Sequence, residues 1–426
     1  MRPSLRAPRL GVAVLSSALL TTFALSGCGA LSSGSGGGNG GATSGTPAAS
    51  ASSASATAAP SRSAGPAGPG GSASSTPAAT TPATQQPAGG PVPSGFAATS
   101  VTFVSTQEAF VLGTAPCSHA PCTSILRTLD RGASWRGLPA PVVPLGQQFS
   151  PNGAAVWGIR FANPSHGFVF GNGLWETTDG GEHWAMAPSP SGSILSLEVI
   201  DGQVLALTVS CQAQNGCAQT GTLQRRPLSG GSWTVVSQVS NPHSIATQAR
   251  VAALLDGTNV FVTTNGGLTF VTYATPCTTE GVAMPSAVAV TSADGLALLC
   301  AGDGAMGSVE KTVYVSGDLG AHWTKAGVPS RGGDPYTIAA ATPAQIVVAA
   351  ASGASWLYYS GDGAAKWGTA YVAGDGGLGW NDLGFTSTSD GVVVHGPALA
   401  DGNHDGRPGQ LLLTSNGGAT WQLVHF

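Results

Sequence analysis

The octet at residues 177–184 reads Thr-Thr-Asp-Gly-Gly-Glu-His-Trp, a composition typical of a tight turn between two β-strands. Asp179 can accept hydrogen bonds from backbone amides of its own turn. Gly181 can adopt a positive φ that other residues reach only at a cost. Trp184 begins the outgoing strand with a large apolar side chain. The octet therefore predicts a hairpin turn that ends on an aromatic anchor.

The pattern Ser/Thr-x-Asp-x-Gly-x-x-Trp returns along the chain. Its copies carry Asp130 with Trp135, Asp318 with Trp323, Asp362 with Trp367 and, with Asn in place of Asp, Asn265 with Phe270 and Asn416 with Trp421. A degraded copy at 226–233 keeps Trp233 but has Leu228 at the Asp position. The seven anchors lie 37 to 54 residues apart, which is the period of a β-propeller blade. We expect an all-β, seven-bladed β-propeller of four-stranded antiparallel blades, with six or eight blades left open by the weak third and fourth copies.

Short apolar runs precede the octets, as at Val101 to Val104 and Ala109 to Gly113. Runs of this length, bounded by Gly, Ser, Asn or Asp, are typical of strands buried on both faces. The chain enters the repeats on an inner strand and leaves them on an outer one at residues 422–426. Ring closure is therefore predicted to rest on face packing between the first and last blades, with Phe96 and its neighbours as a candidate edge strand.

The N-terminus has the layout of a bacterial lipoprotein signal peptide, predicted at residues 1–27. Three arginines precede an apolar run at residues 10–25, which is short for a membrane span. The following Leu25-Ser26-Gly27-Cys28 resembles a lipobox, in which lipid such as palmitate is attached to the cysteine, here Cys28. This resemblance implies an exported protein anchored in the bacterial cell membrane and facing the extracellular or cell-wall side.

Residues 28–94 are almost entirely Gly, Ser, Ala, Thr and Pro, and the propeller is predicted to occupy residues 95–426. The segment offers no side chains to bury, so ordering it would cost entropy without compensation. We expect a disordered tether, spanning on the order of 45 Å as a flexible coil. The chain has 16 basic and 20 acidic residues, so no nucleic-acid partner is indicated.

Six cysteines follow Cys28 and fall into three local pairs. The pairs are Cys117 with Cys122, Cys211 with Cys217, and Cys277 with Cys300. An even number of cysteines in local pairs favours disulfides over a metal site in an exported protein. We therefore predict three bridges.

The octets resemble those of the Asp-box (BNR-repeat) propellers, in particular exported bacterial WD40/YVTN/BNR-like proteins related to photosystem II assembly-factor propellers. The resemblance covers residues 95–426. It implies that the octets are peripheral and structural. It does not fix the chemistry, because the family includes sialidases, other glycoside hydrolases, sortilin-type receptors and assembly factors.

Catalytic motifs are weak in this chain. A sialidase needs an arginine triad, a Tyr/Glu nucleophile pair and an acidic Asp, and no glutamate here is recognisably paired with a tyrosine. A Gly-x-Ser-x-Gly elbow, a metal-type His pair and a phosphate loop are also missing. Whether the protein is an enzyme stays open, with a non-enzymatic role favoured and no cofactor expected.

One segment has the start of a calcium loop. Asp401, Asn403 and Asp405 stand at the first, third and fifth positions of an Asp-x-Asn-x-Asp-Gly sequence. The twelfth position is Leu412 rather than the bidentate Glu. Calcium binding and an ordinary polar loop both remain open.

A ligand site is predicted at the mouth of the central channel, where loops enter the inner strands. Trp157, Arg160, Trp380, Asn381 and Asp382 lie at or just before two such strands. Aromatic faces with a few polar groups suit sugars or peptides, although the tryptophans could instead fill gaps between blades. We expect a membrane-anchored lipoprotein that binds or helps assemble a cell-envelope glycan or protein. The alternatives are an exo-acting glycoside hydrolase of sialidase type and a purely structural wall protein.

Overall fold

The computed structural model describes residues 89–119, 122–146, 154–212, 216–278, 284–396 and 408–426. The predicted signal peptide, Cys28, most of the tether and the 401–405 segment lie outside these residues. Within them, 28 strands form seven four-stranded antiparallel sheets, and each sheet is continuous in sequence. The seven-bladed prediction is confirmed.

The strands of the first four blades have the following bounds. They are β1 Ala97–Phe103, β2 Ala109–Thr114, β3 Thr123–Thr128 and β4 Arg136–Leu138; β5 Val156–Phe161, β6 Gly167–Gly171, β7 Leu174–Thr177 and β8 Ala185–Met186; β9 Ser193–Ile200, β10 Gln203–Gln212, β11 Gly216–Pro227 and β12 Thr234–Ser240; β13 Ile245–Gln248, β14 Val251–Asp256, β15 Asn259–Thr263 and β16 Val271–Ala274.

A 3-10 turn at Pro276–Thr278 leads into the last three blades. Their strands are β17 Met284–Val290, β18 Leu296–Ala305, β19 Ser308–Ser316 and β20 Thr324–Gly327; β21 Asp334–Ala340, β22 Ile346–Ala351, β23 Gly353–Ser360 and β24 Gly368–Gly376; β25 Trp380–Phe385, β26 Gly391–His395, β27 Gln410–Thr414 and β28 Gln422–Leu423. No helix in the described part of the chain is long and apolar enough to cross a bilayer.

Burial falls from the second strand of a blade to its outer edge. Every residue of β6 and β22 is buried, because both faces of these strands pack against neighbouring blades. The two-residue outer strands β8 and β28 are exposed. The predicted buried apolar runs therefore match the second strands best.

The ring closes by contact between blades. Each inner strand contacts the inner strand of the next blade, and β25 contacts β1. Val392, Val394 and Leu411 of the seventh blade share one apolar cluster with Val101 and Val111 of the first. No blade takes a strand from the opposite end of the chain, so closure rests on face packing, as the sequence predicts.

The start of the folded region differs in detail from the prediction. Phe96 belongs to no strand; its ring packs against that of Phe426, with centroids 4.9 Å apart. Gly90 instead pairs with the outer strand of the first blade by two 2.9 Å hydrogen bonds to Gly137. Contacts with the propeller thus begin upstream of residue 95.

The octets form one recurring turn. In six of the described copies, the hydroxyl at position one donates to the side-chain oxygen at position three and accepts the N–H of position five, at 2.7–3.1 Å. The oxygen at position three also accepts the N–H of position seven, at 2.8–3.0 Å. Asp179 thus bonds backbone amides as expected, while the bridging role of the hydroxyl was not foreseen.

The degraded octet keeps its turn by different contacts. Leu228, at the Asp position, packs with Trp233 in an apolar cluster, and its N–H donates to the carbonyl of Gly202 at 2.8 Å. Gly230 and Gly231 adopt φ values of 101° and 118°. A hairpin can therefore persist without the carboxylate when glycines supply the conformation.

Two of the predicted disulfides are formed as expected. Cys117 is bonded to Cys122 in the β2–β3 connection, and Cys277 is bonded to Cys300 across the start of the fifth blade. Cys211 is disulfide-bonded, and the strand register places it opposite Cys217. The side chain of Cys217 lies outside the described residues, so that pairing stays a prediction.

Candidate functional site

The inner strands enclose a cavity of about 560 Å³ along the axis of the ring, here called the channel cavity. All five residues of the predicted ligand site are in its lining. One side is polar, with Ser100, Arg160, Glu198, Thr247 and Asp382 contributed by five different blades. The fifth and sixth blades contribute a mainly apolar side.

Arg160 joins three blades through two carboxylates. Its Nε donates to Oε1 of Glu198 at 2.9 Å, and its Nη2 donates to Oδ1 of Asp382 at 2.7 Å. Its Nη1 donates to the carbonyl oxygens of Val101 and Ile159. The side chains of Arg160, Glu198 and Asp382 are 16–19% exposed. The group is therefore an ion-pair cluster that faces the cavity rather than a fully enclosed one.

Asp382 is held in place by an irregular strand. The register of β25 against β26 shifts between Asn381 and Gly384, and Asp382 has a φ of 49°. Left-handed backbone is unfavourable for a residue with a Cβ. The bulge directs the carboxylate to Ser100, whose Oγ donates at 2.6 Å, and to the N–H of Val101 at 2.9 Å. This local strain positions a charge at the cavity wall.

The electrostatics of the cluster follow from burial and charge. Burial acts to lower the pKa of Arg160, but the charges of Asp382 and Glu198 outweigh it and raise that pKa. Burial raises the pKa of Glu198, and the neighbouring Arg160 offsets this effect only in part. Burial also lowers the pKa of His243, another lining residue. The raised pKa keeps Arg160 protonated, and the lowered pKa of His243 favours its neutral form at neutral pH.

The two predicted tryptophans are buried between blades. Trp157 is 2% exposed and donates its indole N–H to the carbonyl of Ile194, while Trp380 is 3% exposed and donates to that of Ala350. Their rings offer little surface to a ligand. This placement fits the alternative interpretation, in which tryptophans fill gaps between blades, and leaves Arg160, Asn381 and Asp382 as the polar part of the predicted site.

The described part of the chain assembles no arginine triad in the cavity. Arg160 is the one arginine in the described lining. Most other described arginines pair elsewhere, as in Arg127 with Glu108, Arg226 with Glu176, Arg250 with Asp201 and Arg331 with Glu310. The sialidase alternative therefore gains no support from this geometry.

Metal ligands are likewise not assembled within the residues that the structure covers. No group of three His, Cys, Asp or Glu side chains there could hold a metal ion. The calcium loop predicted at Asp401, Asn403 and Asp405 lies outside the described residues, so that hypothesis is unchanged.

A second polar cluster was not foreseen from the sequence. Asp375 accepts hydrogen bonds from the hydroxyl of Ser355 at 2.9 Å and from the N–H of Gly377 at 2.8 Å, and it pairs with Nε2 of His395 at 2.5 Å. The ring of His395 lies 4.6 Å from that of Trp380. The hydroxyl faces the carboxylate rather than the imidazole, so the cluster ties strands together and does not form a Ser-His nucleophile pair.

Comparison with known proteins shows the fold alone. No family model and no curated protein matches the chain. Among solved structures it is similar to "YCF48 bound to D1 peptide", with 16% identity, 76% of this chain and 95% of that chain covered, and a TM-score of 0.50. It is also similar to YCF48 from Cyanidioschyzon merolae, with 14% identity, 76% and 97% coverage and a TM-score of 0.51. An ancestral GH74 enzyme matches at a TM-score of 0.47, with 16% identity over 76% of this chain and 44% of that chain.

Proposed function

We propose that this protein is an exported lipoprotein of the Asp-box propeller type, anchored through Cys28 in the cell membrane. Its propeller binds a polypeptide partner in the cell envelope and assists its assembly. The observation that carries the proposal is the channel cavity, a polar and apolar recess at the centre of the ring. Such concave, pre-formed sites are the usual places for ligands.

The two ends of the ring differ in a way that supports one binding face. The two longest connections, of 17 residues between β4 and β5 and 14 between β26 and β27, both lie at the end where inner strands begin. At the other end, inner and second strands are joined by two to five residues, and the octet turns between third and fourth strands have six or seven. Both described disulfides lie at the same end, outside these two connections. Long loops on a rigid scaffold are typical of binding surfaces.

A polypeptide suits this face better than a glycan. All ten tryptophans of the chain are buried or half-buried, so none presents an open ring on which a sugar could stack. A propeller of similar fold has been solved as "YCF48 bound to D1 peptide". That structure supports the proposal by likeness of fold only.

Site-specific photocrosslinking in intact cells tests the binding role. A photoreactive residue at Asn381, in the cavity lining, should give a discrete covalent adduct with one envelope protein. The same residue at Lys366, in an octet at the opposite end, should not. Identical adducts from both positions, or none from Asn381, would contradict the proposal.

The proposed lipid anchor at Cys28 is tested by an experiment independent of partner binding. Wild-type protein should incorporate labelled palmitate and fractionate with membranes. The Cys28→Ser variant should lose the label and leave the membrane fraction. A Cys28→Ser variant that still carries lipid would refute the assignment of the anchor.

A further inference from the structure

The channel cavity has an excess of negative charge. Its described lining contains one cation, Arg160, and two anions, Glu198 and Asp382, so the cluster carries a net charge of −1. A charge in a partly desolvated site is unfavourable unless an opposite charge or hydrogen bonds compensate it. Hydrogen bonds from Ser100, Val101 and Thr247 compensate part of this excess, and a positively charged occupant would balance the rest.

The hydrogen bonds of Arg160 argue against an anionic ligand. The Nε, Nη1 and Nη2 atoms each already donate to a carboxylate or carbonyl oxygen of the protein. Four of its five N–H groups are thus used, so a ligand carboxylate or phosphate could not form a bidentate contact without displacing a partner within the protein. A carboxylate, in contrast, offers about four acceptor sites. Glu198 uses part of this capacity on Arg160 and on the side chain of Thr247.

The cavity also has half-buried apolar side chains along which an aliphatic chain could lie. Tyr336 of the sixth blade and Leu383 of the seventh belong to the lining and are partly exposed. Lysine and arginine side chains bury an aliphatic stem along apolar surface while the charged head meets polar groups. A small inorganic cation would leave the apolar side and most of the 560 Å³ unused.

We propose that the channel cavity binds a lysine or arginine side chain of the partner polypeptide. The charged head pairs with Glu198 and Asp382, and the stem lies against the half-buried Tyr336 and Leu383. The proposal rests on the proposed binding of a polypeptide and names the side-chain class that the site selects. The bulge at Asp382 contributes by fixing one of the two carboxylates before the ligand arrives.

Calorimetric titration of the full chain in detergent tests this selection. The probes are N-acetyl-arginine methylamide and its neutral isostere N-acetyl-citrulline methylamide. The arginine probe should bind at least about tenfold more tightly, because citrulline has a neutral carbonyl oxygen in place of one guanidinium NH2 group and so lacks the positive charge. Since the pKa of Glu198 is raised above 4.5, binding of the arginine probe should weaken as the pH falls through that pKa.

Variants of the two carboxylates test whether the arginine probe binds beside them. Glu198→Gln and Asp382→Asn each neutralise the excess charge and should lower the affinity for the arginine probe by about tenfold. Glu108→Gln is the control, because Glu108 forms a one-to-one pair with Arg127 outside the cavity lining. The affinity of the Glu108→Gln variant for the arginine probe should match that of the wild type.

Three results would overturn the inference. They are equal binding of the two probes, no binding of either, and displacement of the arginine probe by millimolar potassium or calcium, which would make an inorganic ion the occupant. A failure of the basic side-chain proposal can be distinguished from a failure of the proposed binding of a polypeptide. A partner that still crosslinks from Asn381 would retain the binding role and remove only the selection for a basic side chain.

Discussion

At the scale of single residues, the octets show how one side chain replaces several backbone contacts. The carboxylate of Asp179 accepts bonds from the hydroxyl of Thr177 and the N–H of His183. The amide oxygen of Asn265 accepts the same pair of bonds in its own octet. In these octets an acceptor oxygen at position three therefore stabilises the turn, whether or not it carries a charge.

This equivalence gives the first prediction. Asp179→Ala should lower the free energy of unfolding by about 1 to 2 kcal/mol, because backbone and hydroxyl groups lose their acceptor. Asp179→Asn should lower it by less than Asp179→Ala, because Asn keeps the acceptor oxygen for Thr177 and for the N–H of His183 and loses only the charged contact with the His183 ring. Urea unfolding at neutral pH measures both. Equal losses for the two variants would show that the charge, and not the acceptor, stabilises the turn.

The octet carboxylates also predict how stability depends on pH. Slight burial would raise the pKa of Asp179, but hydrogen bonds from His183 and Thr177 outweigh it and lower the pKa to about 2. Hydrogen bonds from His322 and Ser316 lower the pKa of Asp318 to about 2 as well. The pKa values of Asp130, Asp362 and Asp375 are also lowered.

A folded-state pKa below the unfolded value of 3.8 stabilises the protein above that pH, and the gain is lost as the pH falls towards 2. The midpoint of thermal unfolding should therefore decrease between pH 4 and pH 2. The decrease should be smaller in an Asp179→Asn, Asp318→Asn double variant, which lacks two of the titrating groups. Parallel pH profiles for wild type and double variant would refute this assignment.

At the scale of elements, the octets and inner strands hold neighbouring blades together. The glycine at position five lies against the preceding blade, as with Gly320 beside Val260 and Gly132 beside Leu413. Side-chain hydroxyls bridge the inner strands, since Ser100 accepts the N–H of Ile159 at 3.1 Å and Ser196 accepts that of Ile245 at 3.2 Å. A side chain of one blade thus accepts a hydrogen bond from a backbone N–H group on the inner strand of the next blade.

Gly320 provides a test of this packing. It has a φ of 98°, and an added Cβ would lie 3.0 Å from Cγ1 of Val260. Gly320→Ala should therefore destabilise the protein by about 1 to 3 kcal/mol through backbone strain and overpacking. Gly317→Ala is the control, because it belongs to the same octet and its Cβ would meet open space. A chemical denaturation series in which both variants lose the same stability would disprove the packing argument.

At the scale of the whole molecule, the ring is closed without exchange of a strand between the chain ends. The ring of Phe426 lies 4.9 Å from that of Phe96 and 5.4 Å from that of Trp135. Gly90 pairs with Gly137 at the outer edge of the same blade. Both ends of the described propeller therefore contribute to the junction of the first and last blades.

Phe426→Ala should lower the free energy of unfolding by about 1 to 2 kcal/mol, because it removes aromatic contacts and apolar area from this junction. Met186→Ala is the control, since Met186 is 75% exposed on an outer strand elsewhere. Thermal unfolding of both variants gives the comparison. A loss for Phe426→Ala no greater than that for Met186→Ala would mean that the aromatic contacts do not contribute to closure.

Much of the fold could be predicted because its signals are local. The turn at 177–184 and its copies are encoded within eight residues, and their period predicts a propeller of about seven blades. The disulfides at Cys117–Cys122 and Cys277–Cys300 join cysteines only 5 and 23 residues apart. Nearby residues meet at low entropic cost, so pattern and spacing were sufficient.

The site was less predictable because its partners are distant in sequence. The strand start at 380–382 and the polar character of Arg160 were visible, but not that Arg160 meets Asp382 across 222 residues and Glu198 across 38. The sequence alone determined the turns and the repeat and favoured a ring of seven blades, and the structure excluded the open alternatives of six and eight. Only the tertiary structure decided which charges meet in the channel and that Trp157 and Trp380 pack between blades, because closing the ring brings together inner strands that no local pattern pairs.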